Sequence, residues 1–147
     1  MCSPAARIVH PSNPPVRRTI LLVEDEPFVR EATRNMLANA GFSVLAAEDA
    51  VEAMRIFESC ERSLDILITD MILPGLSGQQ LGKDIRGRCP HVSVLITSGY
   101  GDAEHDIEDP ATQTYFLAKP YSRGELLGKL GFILGKLAAQ HAATQAS

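Results

Sequence analysis

LDILITDMILPG, residues 64–75, decides how the rest of the chain is read. Five of the six residues before Asp70 are Leu, Ile or Thr, the composition of a strand buried on both faces. The run ends abruptly on a carboxylate, and three apolar residues lead on to a Pro74-Gly75 turn. An ionised Asp at the end of a buried strand is costly to desolvate unless a partner meets it. The edge where Asp70 lies is therefore the first place to look for a site.

Outward from this stretch, β-type runs alternate with helix-like segments. TILLV (19–23) reads as a buried strand ending at Glu24-Asp25. Pro27 suits the first turn of a helix, with Phe28, Val29, Ala32, Met36 and Ala40 at helical spacing and Gly41 as its stop. FSVLAA (42–47) is a second strand, and Glu48-Asp49 precede a helix carrying Val51, Ala53, Met54, Ile56 and Phe57. Beyond the third strand, a helix is predicted from Gly78 to Arg88 with Leu81 and Ile85 inward, broken by Cys89-Pro90. HVSVLIT (91–97) and TYFLA (114–118) are the fourth and fifth strands. Ser122 is a good N-cap for a last helix bearing Leu126, Leu127, Leu130, Ile133, Leu134 and Leu137. Such alternation specifies an α/β fold, a parallel sheet with right-handed crossovers and helices on both faces.

Composition sets the bounds. A chain of 147 residues fits one domain with a full-sized core. No apolar run approaches the ~18 residues that span a bilayer, and the N-terminus lacks the apolar core of a secretory signal. A net charge of −4 without clustered Lys and Arg argues against nucleic-acid binding. Cys2, Cys60 and Cys89 are odd in number and show no CxxC spacing, which fits reduced cytoplasmic thiols. Residues 1–18 hold four of the nine prolines and read as a disordered N-terminal tail. The folded domain is expected over 19–139, with a C-terminal tail over 140–147.

In an open parallel sheet, ligands bind outside the carboxyl ends of the strands. Here those ends carry Glu24-Asp25, Asp70, Thr97-Ser98 and Lys119-Pro120. Two carboxylates about 4 Å apart repel by roughly 4 kcal/mol at an effective dielectric near 20. A divalent cation relieves that repulsion, and hard oxygen ligands suit Mg²⁺. With a metal between Asp25 and Asp70, one carboxylate can attack phosphorus while Mg²⁺ and Lys119 neutralise the equatorial oxygens and Thr97 donates a hydrogen bond. Taken singly, these residues have ordinary readings: helix N-terminal acids, a β-favouring Thr, a solvated Lys.

The pieces ILLVEDE, LITDMILPGLSG, VLITSGY and FLAKPYS, in this order, resemble the receiver domain of two-component response regulators. The resemblance runs from about Thr19 to Leu137. It implies a CheY-like, flavodoxin-like doubly wound sheet of five strands in the order 2-1-3-4-5. It also implies that Asp70 is the phosphoacceptor, Asp25 a direct Mg²⁺ ligand, Glu24 a water-mediated one, and the Ile72 carbonyl a further ligand. By the same resemblance Lys119 pairs with the phosphoryl group, Thr97 and Phe116 are the switch residues, and the peptide before Pro120 is cis. The implied partners are a sensor histidine kinase or histidine phosphotransfer protein and a downstream protein target.

Three departures carry information. GDAEHDIEDPATQ (101–113) should hold the fourth helix, yet it has one large aliphatic residue and an internal Pro110, so a short helix or a mobile loop is predicted. Gly124, Gly128, Gly131 and Gly135 fall on one stripe of the last helix. That stripe is either a tolerated solvent face or a close-approach surface for a partner or a homodimer. Ile72 and Gly99 offer no polar side chain to orient a hydrolytic water, which predicts slow self-dephosphorylation.

No helix-turn-helix or effector enzyme follows residue 140, so a stand-alone receiver is expected, acting as adaptor, phosphate sink or relay intermediate and catalysing only its own phosphorylation and dephosphorylation. A phosphatase with an Asp nucleophile would place a second Asp two residues on, where Ile72 stands. A degenerate receiver would lack the intact acid, hydroxyl and lysine set. Mononucleotide binding would need a Gly-rich phosphate loop, which is absent.

Overall fold

The computed structural model describes residues 17–60, 63–99 and 108–146. Residues 1–16 of the tail expected over 1–18, and residues 101–107 of the fourth-helix segment expected over 101–113, fall outside them. The elements are β1 (Thr19–Val23), α1 (Pro27–Asn39), β2 (Ser43–Ala47), α2 (Ala50–Cys60), β3 (Ile66–Asp70), β4 (Ile72–Leu73), β5 (Leu76–Ser77), α3 (Gly78–Arg88), β6 (Ser93–Ser98), a 3-10 turn (Pro110–Thr112), β7 (Thr114–Ala118) and α4 (Arg123–Ala146). Five parallel strands form one sheet in the order β2-β1-β3-β6-β7, and β4–β5 is a separate two-residue hairpin. With the hairpin set aside, this is the anticipated order 2-1-3-4-5.

Strand alternation divides the core between two faces. Ile20, Leu22, Ile66, Ile68 and Leu95 pack with Leu37 of α1 and with Leu126, Leu130 and Ile133 of α4. Leu21, Val23, Leu67, Val94, Ile96 and Phe116 pack with Ala53 and Phe57 of α2 and with Leu81 and Ile85 of α3. The helix ends follow local chemistry. Glu26 caps α1 by accepting from the Phe28 N–H at 3.2 Å, with Pro27 as first residue. Gly41 ends α1 with φ +103°, a conformation that glycine adopts without steric cost. Ser122 and Glu125 form a reciprocal capping box at α4, with contacts of 3.0 and 2.8 Å.

The structure corrects several sequence expectations. On α1 the buried positions are Thr33 and Leu37, whereas Phe28 is 86% exposed and Ala32 and Ala40 are also exposed. Thr33 tolerates burial because its hydroxyl meets the Tyr121 hydroxyl at 2.8 Å, so a polar residue holds the place assigned to an apolar stripe. On α2 the buried positions are Ala50, Ala53 and Phe57, and Val51 is exposed. The segment taken as a C-terminal tail from residue 140 is helical through Ala146, since nothing in AAQHAATQ breaks a helix. Gly128, Gly131 and Gly135 are exposed, and a Cβ at any of them would meet nothing within 4 Å.

Candidate functional site

The alternation that sends Ile20 and Leu22 toward α1 and α4 sends Glu24 to the same side. It does likewise for Asp70 after Ile66 and Ile68, for Thr97 after Leu95, and for Lys119 after Tyr115. Four residues from four strand ends thus extend one hydrophobic face beyond the edge of the sheet. Register fixes their level, because Asp70 pairs with Thr97 in the β3–β6 ladder.

Asp70 Oδ1 receives Lys119 Nζ at 2.5 Å and the Thr97 hydroxyl at 2.9 Å. Lys119 Nζ also lies 2.8 Å from Glu24 Oε1. Glu24 Oε2 accepts from the Glu26 N–H at 3.1 Å, and the Arg30 guanidinium donates to the Glu24 carbonyl at 2.7 Å. Glu24, Asp70 and Thr97 are buried, and Asp25 is exposed. Burial, then hydrogen bonding and charge from Asp70, pushes the Glu24 carboxyl up to about 7, against the opposing pull of Lys119 and the Glu26 N–H. Lys119 is held above its ordinary value: burial acts against it, but Asp70 and Glu24 outweigh burial.

Glu24, Asp25 and Asp70 each bring one carboxylate oxygen to within 4.8 Å of the others. An all-oxygen set with excess negative charge fits a hard divalent cation, and neutralising that charge would remove the part of the lift on Glu24 that comes from the charge of Asp70. A cavity of about 200 Å³ opens over the cluster, lined by Asp70, Met71, Ile72, Thr97, Gly99 and Lys119. A larger one of about 760 Å³ lies on the other side of the sheet between α3 and β6–β7, edged by Lys83, Arg86, Glu108 and Phe116, and none of the acid cluster faces it.

Of the residues singled out from sequence, Glu24, Asp25, Asp70, Thr97 and Lys119 come together at this edge. Ile72 follows on the hairpin with an exposed side chain. Phe116 does not join them, being buried on the opposite face beside Ile96. The Lys119–Pro120 peptide is cis. Sequence reasoning missed Arg30, Thr69 and Gly78. For Gly78 a signal was present: a glycine at the first helical position, directly after a capping serine, marks a close backbone approach.

Comparison with known proteins agrees with this fold. Residues 20–131 match the model of the response regulator receiver domain. The sensor kinase CckA of Brucella abortus (strain 2308) is 34% identical over 109 residues, which are 74% of this chain and 12% of that kinase. The chain therefore spans a small part of that relative's length. Among solved structures, a response regulator receiver domain protein from Clostridium thermocellum superposes with a TM-score of 0.72 at 29% identity, covering 86% of this chain and 98% of that one. The receiver domain of the hybrid histidine kinase CckA gives 0.68 at 35% identity, covering 79% and 98%. The chain belongs to the response regulator receiver domain family of two-component signalling. Receivers are phosphoacceptor signalling domains. Among the described residues, no helix is long and apolar enough to cross a membrane.

Proposed function

We propose that Asp70 accepts a phosphoryl group from a phosphohistidine on a sensor histidine kinase or histidine phosphotransfer protein. The observation that supports this most directly is the convergence of Lys119 Nζ and the Thr97 hydroxyl on one oxygen of a buried carboxylate. In the step, an Asp70 oxygen forms the O–P bond while the P–N bond breaks. The electron pair leaves with the imidazole, which takes up a proton. Lys119 stabilises charge on the phosphoryl oxygens, and Thr97 donates to one of them.

Mg²⁺ would be held directly by Asp25, Asp70 and the Ile72 carbonyl, and through water by Glu24. When bound, it supplies neutralisation of the carboxylates and of the phosphoryl oxygens. Phosphorylation would then signal through protein contacts in the cytoplasm, with Thr97 and Phe116 as the switch residues and with the module serving as adaptor, phosphate sink or relay intermediate. Intact-mass measurement after treatment with acetyl phosphate and Mg²⁺ tests the reading. One added phosphoryl group is expected on the wild type and none on Asp70→Asn; an unmodified wild type would overturn it.

A further inference from the structure

Behind the site, on the α3 side of the sheet, the peptide of Asp70 is boxed in. A Cβ built on Gly78, the first residue of α3, would lie 2.0 Å from the Asp70 carbonyl oxygen and 2.9 Å from its carbonyl carbon. Those are backbone atoms, so no side-chain rotation can make room. The Gly78 N–H donates to the Met71 carbonyl at 2.7 Å, which closes the base of the hairpin that carries Ile72. From the strand side, the Thr69 hydroxyl donates to the same Asp70 carbonyl at 3.0 Å, and the Met71 N–H donates to the Thr97 carbonyl at 2.8 Å. Gly78 and Thr69 are both buried.

We propose that Gly78 and Thr69 are positioning residues for Asp70: the missing side chain at 78 and the hydroxyl at 69 together fix the Asp70 peptide, and through it the direction of the carboxylate and the place of the Ile72 carbonyl. This rests on Asp70 being the phosphoacceptor. A side chain at 78 clears the carbonyl only if α3 or Asp70 moves by about 1 Å, and a displacement of that size at a reacting group costs about 10²-fold in rate. Gly82, one turn further along α3, provides the contrast. The three nearest atoms to a Cβ there all belong to the Val94 side chain, at 3.2, 3.3 and 3.7 Å, so it presses on the core and leaves the site alone.

The experiment compares Gly78→Ala, Thr69→Val and Gly82→Ala with the wild type. It reads acetyl phosphate phosphorylation at saturating Mg²⁺, Mg²⁺ affinity by calorimetric titration, and thermal melting in EDTA. Gly78→Ala is expected to slow phosphorylation about 100-fold and to weaken Mg²⁺ binding about tenfold. Thr69→Val, close in shape, should slow it about fivefold with its melting little changed. Gly82→Ala should melt lower yet phosphorylate at the wild-type rate. Wild-type rates in Gly78→Ala and Thr69→Val, or a loss in Gly82→Ala equal to that in Gly78→Ala, would overturn the proposal. If Gly78→Ala does not fold, a wild-type rate in Thr69→Val overturns it and a slowed rate supports it. A wild type that takes up no phosphoryl group would sink the phosphoacceptor reading instead, and the Mg²⁺ titration would then decide this inference.

Discussion

Lys119 and Glu24, 95 residues apart in the chain, meet at 2.8 Å across the carboxyl edge of the sheet. The same ammonium lies 2.5 Å from Asp70, so one cation holds two buried acids in place. In Lys119→Met the two carboxylates face each other uncompensated. The variant should lose about 1–3 kcal/mol of stability in EDTA and phosphorylate about 10²-fold more slowly with acetyl phosphate. Mg²⁺ should raise its melting temperature more than it raises that of the wild type, because the cation replaces a missing charge. An equal Mg²⁺ response in the two proteins would contradict this account.

The elevated Glu24 carboxyl makes stability depend on pH with a definite sign. Between its ordinary value of 4.5 and its folded value of about 7, the folded chain keeps a proton that the unfolded chain has released. The contribution of Glu24 to stability therefore falls as pH rises through that window and is fully lost above it. Melting in EDTA from about pH 5 to pH 8 should show Glu24→Gln close to the wild type at the acid end and increasingly more stable toward the alkaline end. Mg²⁺ should shrink the gap.

Ile72 is 70% exposed and, with Gly99, lines the mouth of the site without offering a polar group. Neither of these two residues offers an entering water a side chain to orient it. The phosphorylated chain should persist for minutes or longer, on the order of 10²-fold longer than a seconds-scale phosphoaspartate, the factor that a positioned general base contributes. Ile72→Asn should shorten the lifetime several-fold. Intact mass followed after removal of phosphodonor reads both, and a wild-type half-life of seconds would contradict the expectation.

Gly128 and Gly131 face open space on α4. Each costs about 1 kcal/mol relative to alanine in a helix interior. Gly128→Ala with Gly131→Ala should raise the melting temperature by about 5 °C. Sedimentation with and without phosphorylation separates the two readings of the stripe. Unchanged association means a solvent face, and lost association means a contact that needs backbone proximity.

Much of this molecule was legible from the chain because its strands are apolar enough to be unambiguous. TYFLA became a strand with the bounds read for it, and Gly78 to Arg88 a helix with the bounds read for it. The convergence of Glu24, Asp25, Asp70, Thr97 and Lys119 followed from the rule that parallel strands end together. What the pattern concealed was rotation. Phe28, Ala32 and Ala40 keep helical spacing but face outward, because Thr33 satisfies its hydroxyl on Tyr121 and allows a polar residue inside. The box around Asp70 was hidden for another reason: a close approach of backbone to backbone leaves no composition signature beyond one glycine.

Phe116 and Asp70 are on opposite sides of the same sheet. Thr69, Ile96 and Phe116 form one crosswise row, and Asp70, Thr97 and Leu117 the next. A partition of packed strands thus separates the carboxylate from the aromatic ring. If the proposed phosphorylation of Asp70 is to be felt at Phe116, the peptides that join the two rows, Thr69 to Asp70 and Ile96 to Thr97, offer it a covalent route across that wall. Any such message would change sides through the thickness of the sheet.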